Sequence, residues 1–129
     1  MANRIVNPPE LPKPSGFSHA IASGRTVYLA GQIGEGATLA EQFDGAAANL
    51  VTALAAAGGS PEDLASLQVF VTDVAEYRAS LRELGQVWRN RFGRHYPAMG
   101  LFGVTELFDA AAKVELMGIA VITDPAEAE

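Results

Sequence analysis

No cysteine occurs in the 129 residues, which excludes a disulfide framework, a thiol nucleophile and thiolate metal sites. Histidine is almost as scarce, with only His19 and His95 to offer imidazole, so neither a metal centre nor a cofactor is expected. Positive charge is also thin: nine Lys and Arg against fifteen Asp and Glu leave a formal net charge of −6, which opposes attraction to a phosphate backbone. The densest basic stretch, RNRFGR with Arg89, Arg91 and Arg94, falls at the end of an expected helix, where the dipole and solvation favour cations. No nucleic-acid partner is expected. Long apolar runs are missing, since nothing approaches the roughly 20 residues of a membrane span. The opening MANRIVNPPELPKP has Pro and Glu where a secretory leader has its apolar stretch, so the expected location is cytoplasmic and off the membrane.

What is present describes a globular chain, 49% hydrophobic and 19% charged, of a length that suits one domain over 1–129. Four of the seven prolines, Pro8, Pro9, Pro12 and Pro14, crowd into residues 1–16. That spacing excludes helix and predicts an extended arm on the surface. Residues 123–129 are expected to be a disordered tail. The run FSHAIASGRTVYLAGQI reads as a hairpin turning at Ser23-Gly24-Arg25. Gly31 and Gly34 then mark a bulge, or a place where another group comes close to the backbone.

Helix signals follow. Thr38 and Glu41 form a capping-box pattern, Phe43, Ala47, Leu50, Val51 and Leu54 share one face, and Gly58-Gly59 supplies the stop. Ser60 and Pro61 open a turn, and LQVFVTDV reads as a central strand. Asp73 and Glu76 repeat the capping-box spacing before a second helix over 73–92, with the stripe Tyr77, Leu81, Leu84, Trp88 and Phe92 ending at Gly93. AMGLFGVTEL and KVELMGIAV read as two last strands. The order predicts an α+β fold, a mixed sheet with two helices packed on one face. Val69, Val71, Ile119 and Val121 leave little polar surface on the other face, so self-association is expected to cover it.

One residue in this pattern requires explanation. Alternation along KVELMGIAVI places Lys113, Glu115, Met117, Ile119 and Val121 on one side of the strand. A carboxylate in such company must be paired, hydrogen-bonded or beside a water-filled cleft. An ion pair with Lys113 or a neighbouring chain's arginine explains Glu115 as well as catalysis does.

Together, SGFSHAIASGRTVYLAGQIG, LQVFVTDVAEY, HYPAMG and KVELMGIAV resemble, in order and spacing, the YjgF-type or Rid (reactive intermediate deaminase) family, over nearly the whole chain. The resemblance implies a chorismate-mutase-like homotrimer with clefts at the subunit boundaries. It also implies hydrolysis of small-molecule imines and enamines to a keto acid and ammonia, with Glu115 as the glutamate that orients or activates water. Phe17, His19, Gly31 and Met99 would line the site. Departures from the pattern are concentrated there. The family's PPAR is Tyr96-Pro97-Ala98-Met99, so Met99 replaces the arginine that grips a substrate carboxylate. Phe17 replaces a tyrosine, and His19 a glutamine. Arg94 is a substitute cation only if the HYP segment folds back. Gly31 serves the bulge or presents its N–H to a ligand. Two readings remain: a hydrolase or tautomerase for compounds without the carboxylate anchor, and a non-catalytic trimer binding a hydrophobic metabolite or a protein partner.

Overall fold

The computed structural model describes residues 2–123. Six strands form one mixed sheet in the order β1-β2-β3-β6-β4-β5. β1 (Arg4–Val6) and β2 (Ala20–Ser23) are antiparallel at one edge. The expected hairpin is β2 with β3 (Thr26–Gln32), closed at Gly24, whose φ of 60° suits a residue without a Cβ. β6 (Val114–Val121) runs antiparallel to both β3 and β4 (Leu64–Val71), and β5 (Ala98–Gly103) lies parallel to β4 at the far edge. Among the described residues no helix is long and apolar enough to cross a membrane. Of the expected tail at 123–129, all but Thr123 lies outside the described residues, and Thr123 donates to the Asp63 carboxylate at 3.2 Å from its backbone.

The first helix, α1 (Leu39–Ala56), begins as its sequence predicts: Thr38 and Glu41 satisfy each other's backbone N–H groups in a complete capping box. Its buried face, Phe43, Ala46, Ala47, Leu50, Ala53 and Leu54, packs on Val27, Leu67, Val69, Leu116 and Ala120 of the sheet. Gly34 permits close contact with α1, because an added Cβ would lie 2.6 Å from the Ala46 nitrogen.

Three expectations are corrected. The single helix over 73–92 is two, α2 (Val74–Ala79) and α3 (Leu81–Phe92), so the described residues hold three α-helices. Ser80 divides them: its hydroxyl donates to the Glu76 carbonyl at 2.8 Å and its backbone leaves the helical region. The break moves the stripe out of phase, leaving Leu81 exposed while Leu84, Trp88 and Phe92 are buried. The Asp73 cap is half a box, since Asp73 accepts from the Glu76 N–H while the Glu76 carboxylate turns to Lys113. Finally, Val69 and Val71 point toward the helices and are fully buried, so β4 shows the open face Gln68 and Phe70 instead.

That open face nevertheless carries large apolar groups in water: Tyr28, Phe102, Met117 and Val121 are each between 39% and 50% exposed. α1 and α3 pack together and α1 covers the opposite face. The arm contributes β1 before its prolines begin and then returns to bury Leu11.

Candidate functional site

Glu115 stands near the start of β6 on the open face, half-buried and directly across from Phe70 of β4. On its other side β3 and β6 lose register between Leu29 and Gln32. The chain is bulged at Ala30 and Gly31, and the Glu115 side chain lies over the Gly31 backbone; an added Cβ there would lie 2.7 Å from the carboxyl carbon. Gly31 thus sits in the bulge and is closely approached by another side chain. Burial pushes the Glu115 carboxyl above its ordinary value of 4.5. No hydrogen bond or ion pair with another described residue offsets that burial. Lys113, the candidate partner just before the strand, reaches Glu76 at 3.3 Å instead.

His19 is 4% exposed and held on every polar atom. Its backbone N–H donates to Asn7 Oδ1 at 2.8 Å, and its carbonyl accepts from Ala30 N–H at 2.9 Å. Nε2–H donates to the Pro12 carbonyl at 2.7 Å, which leaves Nδ1 to accept from the Gln32 amide at 3.0 Å. Phe17 is 54% exposed and meets the His19 ring edge-on, centroids 5.5 Å apart. Phe17, His19, Gly31 and Glu115 thus form one neighbourhood, linked through Gln32, a buried amide that sequence reasoning passed over. An inward-facing glutamine in an otherwise apolar strand was the available signal.

Met99 does not join them within one chain. It pairs in register with Leu67, on the helix side of the sheet, whereas Glu115 pairs with Phe70 on the open side. The Met99 side chain is 46% exposed and lines an apolar groove of about 230 Å³ with Phe43, Tyr77, Leu84, Trp88 and Tyr96. Arg94 is exposed beyond Gly93. The segment after it is pinned: the Trp88 indole donates to the His95 carbonyl at 3.1 Å, and the His95 ring to the Leu64 carbonyl at 2.7 Å. Arg91 is occupied by a two-pronged pair with Asp44 at 2.7 and 3.1 Å, so one charge of the basic stretch is neutralised. Among the described residues no three acidic, His or Cys side chains gather as a metal site.

A family model described as Endoribonuclease L-PSP matches residues 10–122. A 2-iminobutanoate/2-iminopropanoate deaminase of Dermatophagoides farinae is 31% identical over 128 residues, covering 92% of this chain and 96% of that one. Among solved structures, a Mycobacterium tuberculosis member of the YjgF/YER057c/UK114 family superposes with a TM-score of 0.79 at 28% identity, covering 94% of this chain and 100% of that one. RidA from the Antarctic bacterium Psychrobacter sp. gives 0.81 at 25% identity, covering 92% and 99%.

Proposed function

Because the chain belongs to the endoribonuclease L-PSP family, also called YjgF or Rid, we propose that it is an imine and enamine hydrolase whose working group is Glu115. The observation that carries this reading is a carboxylate on an open sheet face, partly desolvated, packed on a bulged glycine and free of hydrogen bonds or ion pairs to other described residues. Burying a structural acid without a partner is costly. A carboxyl raised by burial and beside solvent is placed to exchange protons with water.

The chemistry needs little more. Glu115 accepts a proton from water as the water oxygen bonds to the imine carbon and the C=N electron pair moves to nitrogen, and the protonated carboxyl passes that proton to the nitrogen, leaving a carbinolamine and an ionised Glu115. Glu115 then takes the proton of the carbinolamine hydroxyl and delivers it to the departing nitrogen. The C–N bond breaks as the carbonyl forms, releasing ammonia. An enamine enters the same path after protonation at carbon.

Met99 and Glu115 lie on opposite sheet faces, so a cleft using both takes them from different chains. We assign the cleft to a homotrimer in which the open face of one copy meets the β5 edge of the next, with Met99 of that edge opposite Glu115. The apolar face supports association in water. With a thioether where the family pattern has a guanidinium, the preferred substrates are small imines without a carboxylate, since Met offers only a soft apolar contact. Phe17 would line the same cleft.

Two expected results check this. Imines made in situ by an amine oxidase should release ammonia faster with the protein than without it; acceleration of none, together with measurable ligand affinity, would leave a binding protein instead. The pH profile should follow the raised carboxyl. A base must be ionised, so the rate should fall as pH drops through a midpoint above the ordinary glutamate value of 4.5. A profile flat through that region would exclude Glu115 as the base.

A further inference from the structure

His19 reaches both sides of the bulge that carries Gly31. Its carbonyl accepts from Ala30, the residue before, at 2.9 Å, and its ring accepts from the side chain of Gln32, the residue after, at 3.0 Å. The other end of the ring is anchored outside the sheet, on the Pro12 carbonyl of the arm, at 2.7 Å. His19 and Gln32 are 4% and 6% exposed, so water is a poor replacement for either bond. Beyond the bulge, the Asn49 amide donates to the Ile33 carbonyl at 2.9 Å and keeps the following residue against α1. A bulge leaves its extra residue outside the ladder, so its shape depends on such side contacts.

We propose that His19 is a positioning residue: by clamping the bulge on both sides of Gly31, it sets how closely the Glu115 carboxyl packs against that backbone, and couples this packing to the N-terminal arm. The kinetic consequence rests on the function proposed above, but the packing itself does not. Around Glu115 stand Gly31 from β3, Phe70 from β4 and, along its own chain, Met117 in β6 and Lys113 just before β6 begins, with the Lys113 ammonium engaged by Glu76. Desolvation by these neighbours is the cause of its upward shift, so its titration reports how tightly they pack.

The test is a titration of Glu115 by NMR of carboxyl-labelled glutamate in the assembled protein, wild type against His19→Ala, His19→Gln and Gln32→Met. In His19→Ala and Gln32→Met the Glu115 midpoint should move down toward the ordinary glutamate value. In His19→Gln, whose amide can donate at one end and accept at the other, it should stay high. A midpoint unchanged in His19→Ala and Gln32→Met would overturn the proposal even if stability fell, because a purely structural role predicts lower stability alone. Should His19→Ala fail to fold, Gln32→Met decides, since it removes only the bond to Nδ1. Where imine hydrolysis is measurable, kcat should fall by up to about 100-fold with KM little changed, as for a misplaced acid-base group. Absence of hydrolysis in the wild type would count against the proposed function and leave the titration result standing.

Discussion

Glu115→Gln is expected to lower imine hydrolysis by about 100- to 10,000-fold while the protein remains folded and assembled. The amide keeps the shape of the carboxyl over Gly31 and Phe70 but neither accepts a proton from water nor returns one to the leaving nitrogen. The fold should gain from the same change. Burial raises the Glu115 carboxyl, so the folded chain holds that proton more tightly than the unfolded chain does. Its contribution to stability is then full at low pH, below the unfolded value, and is lost as pH rises through the raised folded value. At neutral pH the wild type carries an ionised, partly desolvated acid, and the Gln variant does not. Thermal unfolding at constant oligomeric state should therefore show Glu115→Gln at least as stable as wild type at pH 7, with the difference closing in acid. Lower activity with higher stability marks a functional group and separates it from a structural one. Unchanged turnover, or a large loss of stability at pH 7, would remove Glu115 from the chemistry.

Met99→Arg is expected to act in the opposite direction, creating or raising hydrolysis of imines that carry a carboxylate. A planar, two-pronged guanidinium pair has no counterpart in a thioether. Gaining such a pair in a sheltered cleft changes binding by about tens- to thousands-fold. Steady-state ammonia release from 2-imino acids, generated by an amino-acid oxidase, should increase in the variant, and the preference for uncharged imines should shrink. The site has room for the exchange, because Met99 is 46% exposed on the edge strand and borders an open groove. If the variant folds and gains nothing, the absence of arginine is not what separates this site from the family pattern.

Much of this arrangement was legible in the sequence where one local rule decided the outcome. Gly24 at a two-residue turn, the Thr38 and Glu41 capping box, and the alternation that exposes Glu115 while burying Val114 and Leu116 all follow from neighbours in the chain. Long-range choices were less legible. β1 is three residues long and exists only because β2 offers a free edge. The helix break depends on one serine hydroxyl competing for the Glu76 carbonyl. β4 is apolar on both faces, so the sequence reading placed Val69 and Val71 on the open face, whereas both are buried in the core on the helix side. The side taken by Met99 follows from the parallel register of β5 on β4, which the α2–α3 crossover sets. His19 showed as a polar residue in the hairpin, but its clamp depends on Pro12 and Gln32, which only folding brings to it.

The central claim is that an acid of one chain and residue 99 of another complete a single hydrolytic cleft, and a mixing experiment tests it most directly. Wild-type subunits bring Glu115 with Met99; subunits carrying both Glu115→Gln and Met99→Arg bring the guanidinium without the acid. Neither should hydrolyse a 2-imino acid efficiently alone. When the two are denatured together and refolded as mixed oligomers, ammonia release from that substrate should appear. Mixed oligomers as inactive as their parents, while Met99→Arg alone is active, would place both residues in one chain's site and contradict the account.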